Sequence, residues 1–184
     1  MKILDLGCGT NKYKGKKGDK VIGLDKFKTP QTDVVWDLEK TPLKRNKKKI
    51  KNNYFDMVIA NHTLEHIRNF EELMKELHRI TKPNGIIKIR LPFWASFQAF
   101  DIDHERFFNY CSFELYEKKD KFHHMANNVE FKILKRRLIM SNNSKTNFLN
   151  ALNPLINHFP KIYQRFFATL LPCDELYFEL KVIK

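Results

Sequence analysis

The feature that most constrains this chain is a short run, residues 2–6, apolar at Ile3, Leu4 and Leu6, that leads into Gly7-Cys8-Gly9. A short apolar run bounded by glycine suits a strand buried on both faces of a parallel sheet. The glycines let the backbone turn sharply and let a ligand approach without a side chain in the way. The pattern recurs. Residues 21–24 read as a second strand ending at Asp25, and Val34-Val35 as a brief third ending near Asp37. Residues 54–60 and 86–91 read as a fourth and a fifth. Between these two, Leu64, Ile67, Phe70, Leu73, Leu77 and Ile80 recur every three or four residues, which predicts a helix. Lys82-Pro83-Asn84-Gly85 stops that helix and turns the chain. Strand, helix and strand joined by short connections imply a parallel sheet with crossover helices. The lysine- and glycine-rich connection 11–20 is too short for a long helix, and the polar stretch 40–53 reads as loop.

After Pro92 the periodicity loosens. Residues 93–110 are aromatic with charges at 101–106, residues 113–125 read as a helix, and 129–140 and 176–183 as strands. Between those strands lies an insertion, 145–172, with apolar residues at 148, 152, 155, 159, 162 and 166; Asn153-Pro154 and Pro160 predict two short helices there. A chain of 184 residues fits one domain, 1–184, carrying that insertion. The three cysteines are odd in number and widely spaced, unlike a disulfide framework or a zinc site. The strand-like run directly after Met1 and the absence of an apolar stretch near the ~18 residues of a spanning helix point to the cytoplasm. The net charge is +13 with a pI of about 9.6, which suits nucleic acid, anionic lipid or an acidic substrate. Of the 34 basic residues eight are arginine and the rest lysine, spread along the chain, as biased composition also produces.

The loop chemistry narrows the ligand. The dinucleotide fingerprint needs a third glycine where Lys12 stands, and no glycine-lysine-serine or -threonine follows as in a P-loop. A cofactor without a pyrophosphate fits better. Asp25, ending the second strand, is placed to accept both hydroxyls of a ribose, and Asp37, ending the third, to take an adenine amino group. All three features then share the carboxyl edge of the sheet, where open α/β sheets bind ligands.

LDLGCGTNK (4–12), VIGLD (21–25), WDLE (36–39), FDMVIANHTLEHI (55–67) and ELHRITKPNGIIKIRLP (76–92) resemble the successive motifs of class I S-adenosylmethionine-dependent methyltransferases, most closely the small type-11 group with an abbreviated first helix. DELYFELKVIK (174–184) resembles that group's final antiparallel strand. The resemblance implies a Rossmann-like α/β three-layer sandwich on a mostly parallel seven-stranded sheet with an antiparallel last strand. It implies S-adenosylmethionine as cofactor, S-adenosylhomocysteine as product and no metal. Asp5, Gly7, Cys8 and Gly9 would cradle the methionine part, Asp25 the ribose, Lys26 and Phe27 would lie beside the adenine, and Asp37 and the Leu38 amide would read its edge. Asn61 would offer its backbone to the methionine amino group, with His62 adjacent. The third loop glycine of the group is Asn11 here, a residue that tolerates left-handed backbone.

Methyl transfer from a sulfonium is a direct displacement, so no covalent nucleophile is required, and none is evident. The Asn-Pro-Pro-Tyr motif of amino-methylating DNA enzymes is replaced by Asn61-His62-Thr63-Leu64, and Pro172-Cys173 reads as a turn. His62 and His66, four apart, share a face, but two ligands do not make a zinc site. His104 and His66 are candidate catalytic bases; Glu65, Arg106 and Tyr110 are candidate substrate contacts, Arg106 as an anion clamp. A solvated loop packed by Phe107 and Phe108 is the competing reading of 103–110. His123-His124 reads as surface or helix end. The insertion reads as core packing or a homodimer surface, then as a lid, then as a peripheral membrane contact. The leading acceptor is an oxygen or nitrogen of a small molecule or glycan; RNA or protein, and a non-catalytic cofactor-binding module, are the alternatives.

Overall fold

A computed structural model describes residues 1–184 except Asn127, Asn128 and the side chain of His123. In chain order the elements are β1 (Lys2–Leu6), β2 (Lys20–Asp25), β3 (Val34–Val35), β4 (Lys44–Arg45), β5 (Lys48–Lys49), β6 (Phe55–Asn61), α1 (Phe70–Ile80), β7 (Thr81–Pro92), β8 (Glu130–Ile139), α2 (Asn153–His158), α3 (Pro160–Phe166) and β9 (Glu175–Ile183). Seven strands form one sheet in the order β3-β2-β1-β6-β7-β9-β8. Neighbours from β3 to β7 are parallel, and β9 runs antiparallel to both β7 and β8. This is the expected Rossmann-like class I methyltransferase topology. Strand order reverses between β1 and β6, so the loops leaving those two strands, at Gly7 and at Asn61-His62, part and leave a crevice.

Alternation decides what each face meets. Leu4, Leu6, Val58, Ala60, Ile87, Ile89, Phe178 and Leu180 are buried in the main core with Leu73, Met74 and Leu77 of α1. Phe108, Phe113 and Tyr116 extend that core, Phe113 lying edge-on to Phe178 with centroids 4.8 Å apart. On the opposite face Ile3, Met57 and Ile59 form a small separate cluster with Val21. Its roof is the extended 11–20 connection, tied down where Tyr13 N–H donates to Asp5 at 2.7 Å. The second outer layer is therefore abbreviated. Beyond that roof the same face presents Lys88 beside Glu179 and Lys135, and Arg90 beside Tyr177 and Arg137.

Several local expectations change. The helical periodicity from Leu64 is interrupted: Leu64–His66 is a lone 3₁₀ turn, Ile67 is extended, and α1 starts at Phe70. The cause is Glu39, whose carboxylate accepts Arg68 N–H at 2.7 Å and Asn69 N–H at 2.9 Å. It thereby caps α1 from a distant segment, with its charge at the positive end of the helix. Residues 113–125 are not one helix but two 3₁₀ turns, Glu114–Tyr116 and His123–Ala126. Between them Asp120 accepts Phe122 N–H, and Glu117 is drawn off to Ile133 N–H on β8; such bonds compete with helix. The 40–53 stretch contains the hairpin β4–β5, anchored because Leu43 and Ile50 are buried and Glu76 and Arg79 of α1 bond Leu43 N–H and Ile50 C=O.

The insertion does form two short helices after a 3₁₀ turn, Asn147–Leu152. Core packing accounts for part of it, since Ile156, Tyr163 and Ala168 join the main core, but Phe148, Leu155, Ile162, Phe166 and Leu170 are all exposed. Its polar side has a definite task. Asn150, Asn153 and Asn157 bond the backbone of Ser141, Met140 and Leu138. They satisfy the exposed edge that follows from β8 being the last strand of the sheet. No helix among the described residues is long and apolar enough to cross a membrane.

Candidate active site

The glycine loop is built by the two parallel strands on its flanks. Gly7 and Cys8 N–H both donate to Leu24 C=O, at 2.8 and 3.2 Å, and Gly9 N–H donates to Asp25 Oδ2 at 2.9 Å. Three successive loop amides are thus consumed within the protein, so the loop offers no nest for a pyrophosphate. Gly7 and Gly9 adopt φ of +62° and +49°. A Cβ on Gly7 would stand 2.4 Å from Thr63 Oγ1, whereas one on Gly9 would meet nothing within 4 Å. Gly7 therefore lets the turn after β6 close on the loop, and Gly9 leaves open space for a ligand. Asn11 is not left-handed here, so the loop has no need of glycine at that position.

The crevice holds a cavity of about 510 Å³ lined by Gly7, Asp25, Lys26, Phe27, Asp37, Leu38, Glu39, His62, Thr63, His66, Ile67, Arg68, Ile102, Asp103 and Glu105. That volume lies in the range of small-ligand sites. Asp25 is fixed by Gly9 N–H on one oxygen and by Phe27 N–H, at 2.9 Å, on the other. Each oxygen keeps acceptor capacity for the hydroxyls of a ribose. Asp37 accepts Glu39 N–H at 3.1 Å, and Phe27 stands exposed beside it in the wall. The donor set and the open loop fit an adenosyl cofactor without phosphates. Four residues expected at the cofactor do not line the cavity. Asp5 is buried, its carboxylate turned to Tyr13 N–H, and burial outweighs that bond in raising its pKa. Cys8 Sγ points toward Gln31 C=O, Gly9 only flanks the wall, and the Asn61 carbonyl accepts the Thr63 hydroxyl.

His62, expected beside the cofactor, lines the cavity and gives it a cation. Its backbone has φ of +47°, a strained position for a non-glycine residue. Its Nε2 lies 2.7 Å from Glu175 and its Nδ1 3.4 Å from Glu65. The bond to Glu175, then the proximity of Glu65, pushes His62 up to about 9. Glu175 is buried at the start of β9; burial alone would raise its carboxyl, but the bonds from His62 and Asn142 hold it below the usual range, with Arg90 at 2.9 Å adding to them. No local pattern in the sequence signals this pair, whose members lie 113 positions apart.

Ile102, Asp103 and Glu105 form a wall of the cavity, clasped to 65–68, whereas His104, expected as a base, does not line it. Glu105 N–H donates to Glu65 C=O at 2.8 Å, Arg68 Nε donates to Glu105 at 2.7 Å, and His66 Nδ1 lies 3.2 Å from an Asp103 oxygen. His66 and His104 come together, ring centroids 4.7 Å apart. Arg106 is not positioned as an anion clamp. Its guanidinium donates to Ile67 C=O and Arg68 C=O and lies over the Phe70 ring, holding the clasp from behind. Tyr110 is also away from the cavity, buried under the Arg136 guanidinium with its N–H on Gln164. Glu65 is buried next to His66 rather than lining the cavity. His124 is exposed and no described contact links it to the site.

The methyltransferase domain family matches residues 1–135, most of the chain's length. No curated protein matches the sequence. Among solved structures, an S-adenosylmethionine-dependent methyltransferase from Archaeoglobus fulgidus is 18% identical with a TM-score of 0.58, over 98% of this chain and 85% of that one. The 1,6-didemethyltoxoflavin-N1-methyltransferase of Burkholderia thailandensis, with bound 1,6-didemethyltoxoflavin and S-adenosylhomocysteine, is 15% identical with a TM-score of 0.58, over 100% of this chain and 71% of that one. The N-methyltransferase NodS of Bradyrhizobium japonicum, in complex with S-adenosylhomocysteine, is 8% identical with a TM-score of 0.58, over 100% and 78%. At these identities the likeness is one of fold, and membership rests on the domain match together with the strand order: the chain belongs to the methyltransferase domain family, in its class I, S-adenosylmethionine-dependent branch.

Proposed function

We propose that this chain transfers a methyl group from S-adenosylmethionine to an oxygen or nitrogen of a small-molecule or glycan-type acceptor. The observation that carries the reading is one cavity that gathers Gly7, Asp25, Asp37 and His66 at the strand-order reversal. When bound, the cofactor supplies a methyl group on a positively charged sulfur. Asp25 would accept the ribose hydroxyls, held by Gly9 and Phe27; Lys26, Phe27, Asp37 and Leu38 would enclose the adenine. Gly7 and Gly9 would leave room for the methionine portion. The segment 102–105 would face the acceptor and exclude water from the line of displacement.

The wall favours a neutral or cationic acceptor. Five carboxylates line the cavity, Asp25, Asp37, Glu39, Asp103 and Glu105, against three cations, Lys26, His62 and Arg68, the last paired with Glu105, so the wall keeps an excess of negative charge that a phosphate chain would meet. The Burkholderia enzyme, solved with bound 1,6-didemethyltoxoflavin, supports a small-molecule acceptor. The test is a screen with methyl-labelled cofactor against pooled small hydroxylated and amine compounds, glycans and RNA. Label in the small-molecule or glycan pool supports the proposal; label confined to RNA overturns the acceptor class.

One observation favours an RNA acceptor as a second reading. A separate cavity of about 740 Å³ on the open sheet face is lined by Arg90, Lys135 and Arg137 around Tyr177, with Asn150, Asn153 and Asn157. Cations around a half-buried aromatic ring suit a single strand. Binding of RNA that weakens steeply with salt supports this reading, and absence of binding at low salt removes it. The exposed apolar residues of α2 and α3 support the homodimer expected from the sequence, with peripheral membrane contact as the alternative. Sedimentation velocity with and without vesicles separates the two.

A further inference from the structure

We propose that Glu65, His66 and His104 form a binding site for a divalent first-row transition-metal ion at the acceptor side of the cavity, although the sequence predicts no metal. One ligand atom from each of the three lies within 4.8 Å of the others. They are gathered by the clasp between 65–68 and 103–106, so the arrangement belongs to the fold and not to a single loop.

Glu65 is the strongest sign. It is 1% exposed, and neither carboxylate oxygen has a hydrogen-bond partner. The nearest cationic group, His62 Nδ1, stands 3.4 Å away, while the other nitrogen of that ring is committed to Glu175. His62 thus balances part of the charge of Glu65 but leaves both of its buried oxygens without a hydrogen bond, a cost that a directly bound cation removes. The imidazoles are prepared to complete the site. His66 Nδ1 faces Asp103, 3.3 Å from its carbonyl and 3.2 Å from its carboxylate. His104 Nδ1 faces the Ala99 carbonyl at 3.3 Å. Both contacts place the proton on Nδ1 and leave the Nε2 lone pair free, the outer arrangement found behind metal-bound histidines. Two imidazoles and a carboxylate suit Zn²⁺, Mn²⁺, Fe²⁺ or Co²⁺ better than Mg²⁺ or Ca²⁺. Three protein ligands leave positions open, and His66 sits in the cavity wall, so an open position would face the cavity. If the methyl-transfer reading holds, the acceptor is one that presents an oxygen donor to the ion; that clause rests on the reading, and the metal site does not.

The test uses the full chain freed of any affinity tag and stripped with chelator. Co²⁺ is titrated while visible absorption is followed, and S-adenosylmethionine binding is measured calorimetrically on the same samples. One equivalent of Co²⁺ with new visible bands, displaced by Zn²⁺, is expected. Glu65→Gln and His104→Ala should each weaken Co²⁺ binding by about a hundredfold or more, while His124→Ala binds as the wild type. His104→Ala should still bind S-adenosylmethionine, which shows that it is folded; should it fail to fold, Glu65→Gln answers the question alone. A wild type that takes up no Co²⁺, or variants that bind it as the wild type does, overturns the site. Metal binding without cofactor binding keeps the site and removes the methyltransferase reading, and the converse does the reverse.

Discussion

Replacing Glu175 with glutamine removes the charge that keeps His62 protonated while preserving the side chain's shape. In the native chain this carboxylate is 5% exposed and accepts from His62 at 2.7 Å and from Asn142 and Arg90 at 2.9 Å. Chiefly through that contact His62 is raised from 6.5 to about 9. A group whose folded pKa lies above its unfolded one contributes stability that is fully present below the unfolded value, here 6.5, and is lost as the pH rises through the folded value, here about 9. That gap corresponds to about 3 kcal/mol at ~1.36 kcal/mol per pH unit. The His62 side chain is 38% exposed, and solvent screening lowers the expectation to roughly 1–2 kcal/mol. For a domain of this size that is roughly 3–6 °C in Tm. Urea denaturation between about pH 6 and about pH 9.5 reads it directly. The wild type should lose ~1–2 kcal/mol more across that range than Glu175→Gln, with all other titrating groups common to both. Parallel stability curves would refute the coupling between the two residues.

Three further perturbations follow from particular contacts. Gly7→Ala forces a Cβ to within 2.4 Å of the buried Thr63 hydroxyl in a left-handed backbone; it should cost roughly 2–4 kcal/mol by thermal denaturation and abolish cofactor binding in calorimetry. Glu39→Ala leaves two backbone amides at the start of α1 without their acceptor, and denaturant titration should show a loss of about 1 kcal/mol. Asn157→Ala frees both the N–H and the C=O of Leu138, which should cost ~1–2 kcal/mol and raise light scattering on heating as the β8 edge opens.

The sheet was legible because its strands are short apolar runs ended by Gly7, Asp25, Asp37 and Asn61, and such punctuation is local. Gly7, Asp25 and Asp37 were expected in one crevice for the same reason, since each ends or follows a strand, and all three line the cavity. What local pattern does not carry is pairing across the chain. Glu39 breaks the helical periodicity at 67–69 from about thirty residues away. Glu175 meets His62, and His104 meets His66, only because the sheet and the clasp bring their segments together. Arg106 read as an anion clamp because an isolated arginine in a polar loop gives no sign of the two carbonyls it will hold. The asparagines at 150, 153 and 157 have a task only because β8 is an edge strand whose backbone they bond.

Cofactor binding tests the central claim most directly. Isothermal titration of the full chain with S-adenosylmethionine should show one site, and Asp25→Ala, which removes both ribose-facing oxygens fixed by Gly9 and Phe27, should weaken it by at least about tenfold. No heat of binding in a folded wild type, or binding undiminished in Asp25→Ala, would contradict the assignment of this cavity to the methyl donor.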